Sequence, residues 1–266
     1  MDLAKVKLVV SDMDGTLLNS NHEVSTLFFE LFLKMKAHNI LFVAASGRPH
    51  YSICDKLSSI KDQIYIVSEN GGFISYKEKM LLSTPLVKED VTKFANLIDG
   101  LDNTHPVFCG HTKAYIKNNS DVLLKLLSEY YPNYKIIDNI SEIDEPIYKV
   151  AIYHEDSSEK YVYPHVKHLE SDFKVKTSAT HWVDISHNLA NKGHAIRFLQ
   201  NLHNISVDET MAFGDYNNDL EMLERAHYSY AMKNAHPNVK DVARFETENN
   251  DAYGVEIILE KLVRAK

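Results

Sequence analysis

The sequence predicts an α/β protein. A parallel sheet flanked by helices is built from both ends of the chain, and a second α/β domain is inserted between them. Three observations predict it. Short apolar runs alternate with helix-period segments over 1–82. A different pattern occupies 83–189, and the first rhythm resumes over 190–266. In the outer parts, apolar runs end in polar loops carrying Asp, Ser, Gly or Asn, and in parallel sheets ligands bind beyond such strand ends.

The elements follow in order. Val6-Lys7-Leu8-Val9-Val10 reads as a buried strand that stops at Ser11-Asp12-Met13-Asp14-Gly15-Thr16. Leu27, Phe28, Leu31, Phe32 and Met35 share one face of a helix. The runs 40–45 and 64–67 are two further strands, ending at Ser46-Gly47-Arg48-Pro49 and at Ser68-Glu69-Asn70-Gly71-Gly72. Within the insert, Val87, Val91, Phe94, Leu97, Ile98 and Leu101 predict a helix, and a second is expected over 121–130. Tyr148, Val150 and Ile152 alternate as in a half-buried strand, which implies a sheet with one covered face. Pro85 and Ser186-His187-Asn188 mark the crossings between domains. After Asn191 come a helix with Ala195, Ile196, Leu199 and Leu202 on one face, a strand over 210–213, and a closing helix with Val255, Ile258, Leu259 and Leu262.

Composition narrows the function. The 266 residues are 44% hydrophobic and 25% charged, enough for a sizeable core without disulfides or structural metal. Thirty-seven acidic residues against 29 basic ones give a net charge of -8, which argues against a nucleic-acid binder. A local site can still attract an anion. Cys54 and Cys109 lack metal-type spacing and fit a reducing compartment. No stretch approaches the roughly 20 apolar residues of a membrane span, so a cytoplasmic protein with no membrane partner is expected.

Asp12 and Asp14 follow a buried strand two residues apart. One carboxylate can attack phosphorus while the other donates and accepts a proton. Acids this close repel unless a cation intervenes, and Mg²⁺ is the natural partner because it takes hard oxygen ligands. Gly15 permits a sharp turn and Thr16 offers a hydroxyl. An Asp-Gly turn after a strand needs no function at all. Ser46 and the neighbouring N–H groups can hold a phosphate oxygen, or Ser46 can simply cap a helix. Lys192 suits a phosphoryl oxygen or solvent. Asp215 and Asp219 can supply a metal ligand and a supporting acid, with Asn218 donating to phosphate, or all three can cap the next helix.

Taken together and in order, Asp12-Met13-Asp14-Gly15-Thr16, Ala45-Ser46-Gly47-Arg48-Pro49, Asn191-Lys192-Gly193 and Gly214-Asp215-Tyr216-Asn217-Asn218-Asp219 resemble the haloacid dehalogenase superfamily of phosphatases. Ser68-Glu69-Asn70-Gly71-Gly72, the insert and Tyr228-Ser229-Tyr230-Ala231-Met232-Lys233-Asn234-Ala235 resemble its Cof-type sugar phosphatases. Arg48 matches the broader branch rather than the sugar phosphatases, which bears on substrate choice. The resemblance implies a Rossmann-like core with an inserted α/β cap that closes over a small phosphorylated metabolite, expected to be a sugar monophosphate. It implies Asp12 as nucleophile and Asp14 as acid and base. Asp12, the Asp14 carbonyl, Asp215 and Asp219 would serve Mg²⁺. Ser46, Gly47, Lys192, Asn218 and the N–H of Met13 would hold phosphate.

Other activities of such a scaffold fit less well. A dehalogenase has no use for Asp14. A sugar-phosphate mutase would hold a second phosphate, yet 83–188 contains no arginine. A non-catalytic phosphometabolite-binding protein would not need Asp12, Asp14, Lys192 and Asp215 all retained. In the insert, His111, Tyr115, Trp182 and Asp184 are candidates for stacking on or hydrogen-bonding a sugar, or for packing and turns.

Overall fold

The structure, a computed structural model, describes residues 2–117, 123–125, 127 and 131–266. The helix expected over 121–130 lies largely outside the described residues. The chain divides into two compact units, Met1–Gly47 with Ile53–Leu81 and Asn191–Lys266, and Arg48–Ser52 with Leu82–Ala190. Neither Cys54 nor Cys109 is in a disulfide, and no described helix is long and apolar enough to cross a membrane.

The first unit is built on β1 (Leu8–Ser11), β2 (Leu41–Ala45), β3 (Tyr65–Ser68), β4 (Phe73–Tyr76), β12 (Thr210–Gly214), β13 (Tyr228–Ala231) and β14 (Phe245–Glu246). With β5 (Lys79–Ser83) they form an eight-stranded sheet in the order β14-β13-β12-β1-β2-β3-β4-β5. From β14 to β3 all neighbours are parallel, and β4 turns back against β3. All four residues of β1 are buried, as a strand covered on both faces requires. Helices α1 (Thr26–Ala37), α6 (Lys192–His203) and α9 (Gly254–Arg264) flank the sheet. Ser25 caps α1, accepting from the Phe28 N–H at 3.0 Å, and Phe28, Leu31, Phe32 and Met35 are buried. On α6, Leu202 is exposed, contrary to the sequence pattern. Gln200 is buried instead, because its Nε2 donates to Thr210 Oγ1 at 2.9 Å and to the Arg225 carbonyl at 2.8 Å.

Chain order places β2 and β3 on one side of β1 and β12 on the other, so the direction of winding switches between β1 and β12. Crevices open at such points beyond the carboxyl ends of the strands. The register from Leu8 opposite Thr210 to Ser11 opposite Phe213 delivers Asp12 beside Gly214, and the Asp12 N–H donates to the Phe213 carbonyl at 3.1 Å.

The second unit carries a six-stranded sheet ordered β10-β11-β9-β6-β7-β8. Its strands are β6 (Thr104–Gly110), β7 (Ala114–Ile116), β8 (Tyr134–Ile136), β9 (Ile147–His154), β10 (Phe173–Ala179) and β11 (Trp182–His187). One face packs Phe108, Val150, Ile152 and Ile185 against Val91, Phe94 and Ile98 of α3 (Lys88–Ile98). The other packs Val107, Cys109, Ala151 and Tyr153 with Leu123, Leu127 and Tyr131. All eight residues of β9 are therefore buried, and the expectation of one covered face is corrected. Lys149 disguised the second face: it looks solvent-facing, yet it is buried with its ammonium 3.9 Å from the Asp184 carboxylate.

At the start of β1, Lys7 Nζ lies 2.5 Å from Glu209 Oε1, and the Ser206 N–H and hydroxyl donate to Oε2 at 2.9 and 3.0 Å. The bond from Lys7, then those from Ser206, draw the Glu209 carboxyl down from 4.5 to about 2. A depressed acid stabilises the fold above its ordinary pKa, and that contribution is lost as pH falls through its folded value. Glu209→Gln is expected to lower Tm by about 1–3 °C at pH 7, since the pair is partly exposed. Denaturant midpoints of wild type and variant should converge as pH falls from 7 toward 3. A gap that stays constant would assign the loss to shape instead of charge.

Candidate active site

Four segments of the first unit meet at the carboxyl ends of β1, β2 and β12 and at the start of α6. The Asn191 side chain caps α6, accepting from the His194 N–H at 2.7 Å, which sets Lys192 in the first turn. Lys192 is fully buried; its Nζ donates to Asp12 Oδ1 at 2.5 Å and to Asp219 Oδ1 at 2.6 Å. Burial opposes its charge, but Asp12 and Asp219 outweigh burial and hold the ammonium protonated. Asp219 Oδ2 in turn accepts from the Asp215 and Tyr216 N–H groups at 3.0 and 3.2 Å. Both its oxygens are thus committed. Thr16 Oγ1 donates to Asp215 Oδ1 at 3.2 Å. Glycine is required at Gly15, whose φ is +73° and where a Cβ would lie 2.3 Å from Asp215 Oδ2.

Asp12, Asp215 and Asp219 each offer a carboxylate oxygen, all within 4.8 Å of one another. One lysine cannot offset three acids. Burial, then Asp219, raises the Asp12 carboxyl well above the ordinary range. Burial, then Asp219, also pushes Asp215 up to about 7. Buried hard oxygens with surplus negative charge are a donor set that fits Mg²⁺. The Asp14 carboxylate stands outside this cluster, half-exposed, with His22 Nδ1 3.5 Å from its Oδ1.

Ser46 follows β2 and is buried; its N–H donates to the Val67 carbonyl at 2.8 Å. Asn218 Nδ2 donates to Asn70 Oδ1 at 3.0 Å. Met13 is buried between Asp12 and Asp14. Asn70 and Asn234, whose Nδ2 donates to the Gly15 carbonyl at 2.8 Å, belong to this construction without having been singled out from the sequence. Only their place in two quoted motifs marked them.

The four candidates of the insert all belong to the second unit. His111 lies between β6 and β7, with its ring 4.9 Å from that of His50. Tyr115 is wholly buried in the core, and its hydroxyl donates to Asp144 and to Glu145. Trp182 packs on Tyr153 and Tyr131 at centroid distances of 5.2 and 6.4 Å. Asp184, two residues along the same face of β11, is buried beside Lys149; burial raises its pKa, opposed by Lys149 and a bond from Ser178. Arg48 is buried and its Nη1 donates to Ser52 Oγ at 3.2 Å, so Ser52 is one of its partners.

A parallel sheet with a buried lysine joining Asp12 at the end of β1 to Asp219 in the turn after β12, and an α/β unit inserted after the first strands, defines a class. The chain belongs to the haloacid dehalogenase-like hydrolases, whose family model matches residues 9–259. Relatives named as phosphatases match along nearly the whole chain. It is 29% identical over 266 residues to the 5-amino-6-(5-phospho-D-ribitylamino)uracil phosphatase YbjI of Escherichia coli (strain K12), covering 97% of each chain. It is 27% identical over 291 residues to phosphatase YwpJ of Bacillus subtilis (strain 168), covering 97% of this chain and 100% of that one. The solved structure of SMU.1108c from Streptococcus mutans UA159 superposes with a TM-score of 0.90 at 28% identity, over 97% of this chain and 99% of that one. The chain is a phosphatase of this family, and the Cof-type resemblance holds over its length.

Lys192→Met keeps the aliphatic stem but leaves Asp12 and Asp219 buried without a counter-charge. In metal-free buffer it is expected to cost about 3 kcal/mol of stability, seen as a lower urea midpoint. An unchanged midpoint would mean that the ammonium is not what holds these segments together.

Proposed function

We propose that the chain is a Mg²⁺-dependent phosphatase of small phosphorylated metabolites, sugar monophosphates above all, working through a phosphoaspartate on Asp12. The observation that carries this reading is the buried Asp12 carboxylate, held by Lys192 beside two acids whose charge one lysine cannot offset. Mg²⁺ held by Asp12, Asp215 and the Asp14 carbonyl, with Asp219 in support, would supply positive charge to the phosphoryl oxygens.

Asp12 attacks phosphorus; an Asp12 O–P bond forms as the ester P–O bond breaks, and Asp14 delivers its proton to the departing oxygen. Asp14, then a carboxylate, takes a proton from a water that attacks the same phosphorus. The Asp12 O–P bond breaks, phosphate departs and Asp14 is again protonated. Lys192, the Ser46 hydroxyl, the Asn218 amide and the N–H groups of Met13 and Gly47 hold the other phosphate oxygens through the charge redistribution. The half-exposed carboxyl of Asp14 suits a group that exchanges protons with water, and the buried one of Asp12 suits a group shielded from it.

Two facts support a polyhydroxylated, singly phosphorylated substrate. The Escherichia coli relative is named for a phosphate ester on a ribityl chain. The stretch 83–188 lacks the arginines that would grip a second phosphate in bidentate fashion. We assign substrate selection to the inserted unit, with Asp184, Trp182 and His111 as hydrogen-bonding and stacking groups and Tyr115 as a buried support.

Asp12→Asn is expected to lower kcat by about 10⁴-fold or more. Asp14→Asn should slow hydrolysis of sugar phosphates by about 10²–10⁴-fold, and of p-nitrophenyl phosphate much less, because that leaving group needs no proton. Chelation by EDTA should abolish turnover and Mg²⁺ restore it. Substantial turnover by Asp12→Asn would end the phosphoaspartate scheme.

Matched sugar mono- and bisphosphates test the substrate class at saturating Mg²⁺. A kcat/KM about tenfold higher for the monophosphate is expected. Preference for the bisphosphate would favour a mutase-like site.

A further inference from the structure

Asn70 has no part in the chemistry above, yet it joins three of the segments that perform it. It sits in a turn that follows β3, where Glu69, Asn70 and Gly71 all have positive φ, at 49°, 55° and 99°. Left-handed backbone is costly for most residues and least so for Gly and Asn, so three in succession mark a conformation imposed by its neighbours.

Each neighbour belongs to the phosphate-holding set. The Asn70 N–H donates to the Ser46 carbonyl at 3.0 Å. A Cβ at Gly47 would lie 3.0 Å from Asn70 Oδ1, so glycine there makes room for the carboxamide. A Cβ at Gly71 would lie 2.4 Å from the Asn191 carbonyl and 3.1 Å from the Lys192 N–H nitrogen, so the turn packs directly on the start of α6. Asn70 Oδ1 accepts one N–H of the Asn218 amide at 3.0 Å. That bond fixes which end of the Asn218 carboxamide carries the donors and leaves its second N–H for another acceptor.

We propose that Asn70 is a positioning residue for phosphate binding: it orients the Asn218 amide and locks the Ser46–Gly47 turn against it. The proposal rests on the reading above that Asn218 donates to phosphate. Without Asn70, the Asn218 amide can rotate and the strand-end turn loses its anchor, so a preorganised donor becomes one that must be ordered on binding.

Asn70→Gly tests this, because glycine keeps the left-handed backbone and removes only the carboxamide. Two quantities are read: KM for a sugar monophosphate, and the Kd of inorganic phosphate by calorimetry in Mg²⁺. Both are expected to rise about 5- to 10-fold, with kcat changed less and the Kd of Mg²⁺ unchanged. Asn218→Ala should weaken phosphate similarly, and the double variant should be no weaker than Asn218→Ala alone, since one residue acts through the other. Multiplicative effects, or an unaltered phosphate Kd in Asn70→Gly, would overturn the proposal. If wild type binds phosphate but hydrolyses no monoester, the hydrolytic scheme falls while the phosphate Kd still judges Asn70. If wild type binds no phosphate, both fall.

Discussion

The buried ammonium of Lys192 is the interaction on which the site depends. It joins Asp12 and Asp219, which lie 180 and 27 residues away in sequence. A lone lysine in an apolar interior would lose its proton, and lone carboxylates there would gain one. Beside Asp12 and Asp219 the buried lysine keeps its proton. The arrangement remains short of positive charge, because Asp215 adds a further acid without adding a cation. That imbalance is the physical reason the site suits a divalent metal and a phosphoryl group whose charge changes during transfer.

The sheet makes this meeting possible. A parallel sheet that switches direction between β1 and β12 opens a gap at their ends, and both strands deliver an acid into it. Closeness is then set by residues without side chains. Gly15 permits the Asp14 turn to lie against Asp215, and Gly71 permits the turn after β3 to lie against the first residues of α6. Larger residues at either place would push apart segments whose separation is what the chemistry requires.

The second unit solves a different problem with the same rule. Its sheet buries both faces, so a lysine in its central strands must find an acid, and Lys149 lies beside Asp184. The Lys149 ammonium stands 3.9 Å from the Asp184 carboxylate, against 2.5 Å between Lys192 and Asp12, so this pair is held less tightly. The Lys149 ammonium lies 6.0 Å over the ring of Tyr131, which packs on Trp182, so the pair sits in an aromatic setting.

Much was legible from the sequence. Strand-end motifs carry local signals: an apolar run, then Asp-x-Asp-Gly or Gly-Asp-x-x-x-Asp. Such signals establish the α/β class, and they single out Asp12, Ser46, Lys192, Asp215 and Asp219 as candidates. They do so because each motif must satisfy its own strand end or helix start. Only tertiary structure decided the rest. Pairing of Lys192 with Asp12, and of Asn218 with Asn70, depends on which strands neighbour one another. Burial of Lys149 and Gln200, and exposure of Leu202, depend on what covers each face. Periodicity reports the direction in which a side chain leaves the backbone, but whether water or protein meets it there is settled by segments far away in the chain.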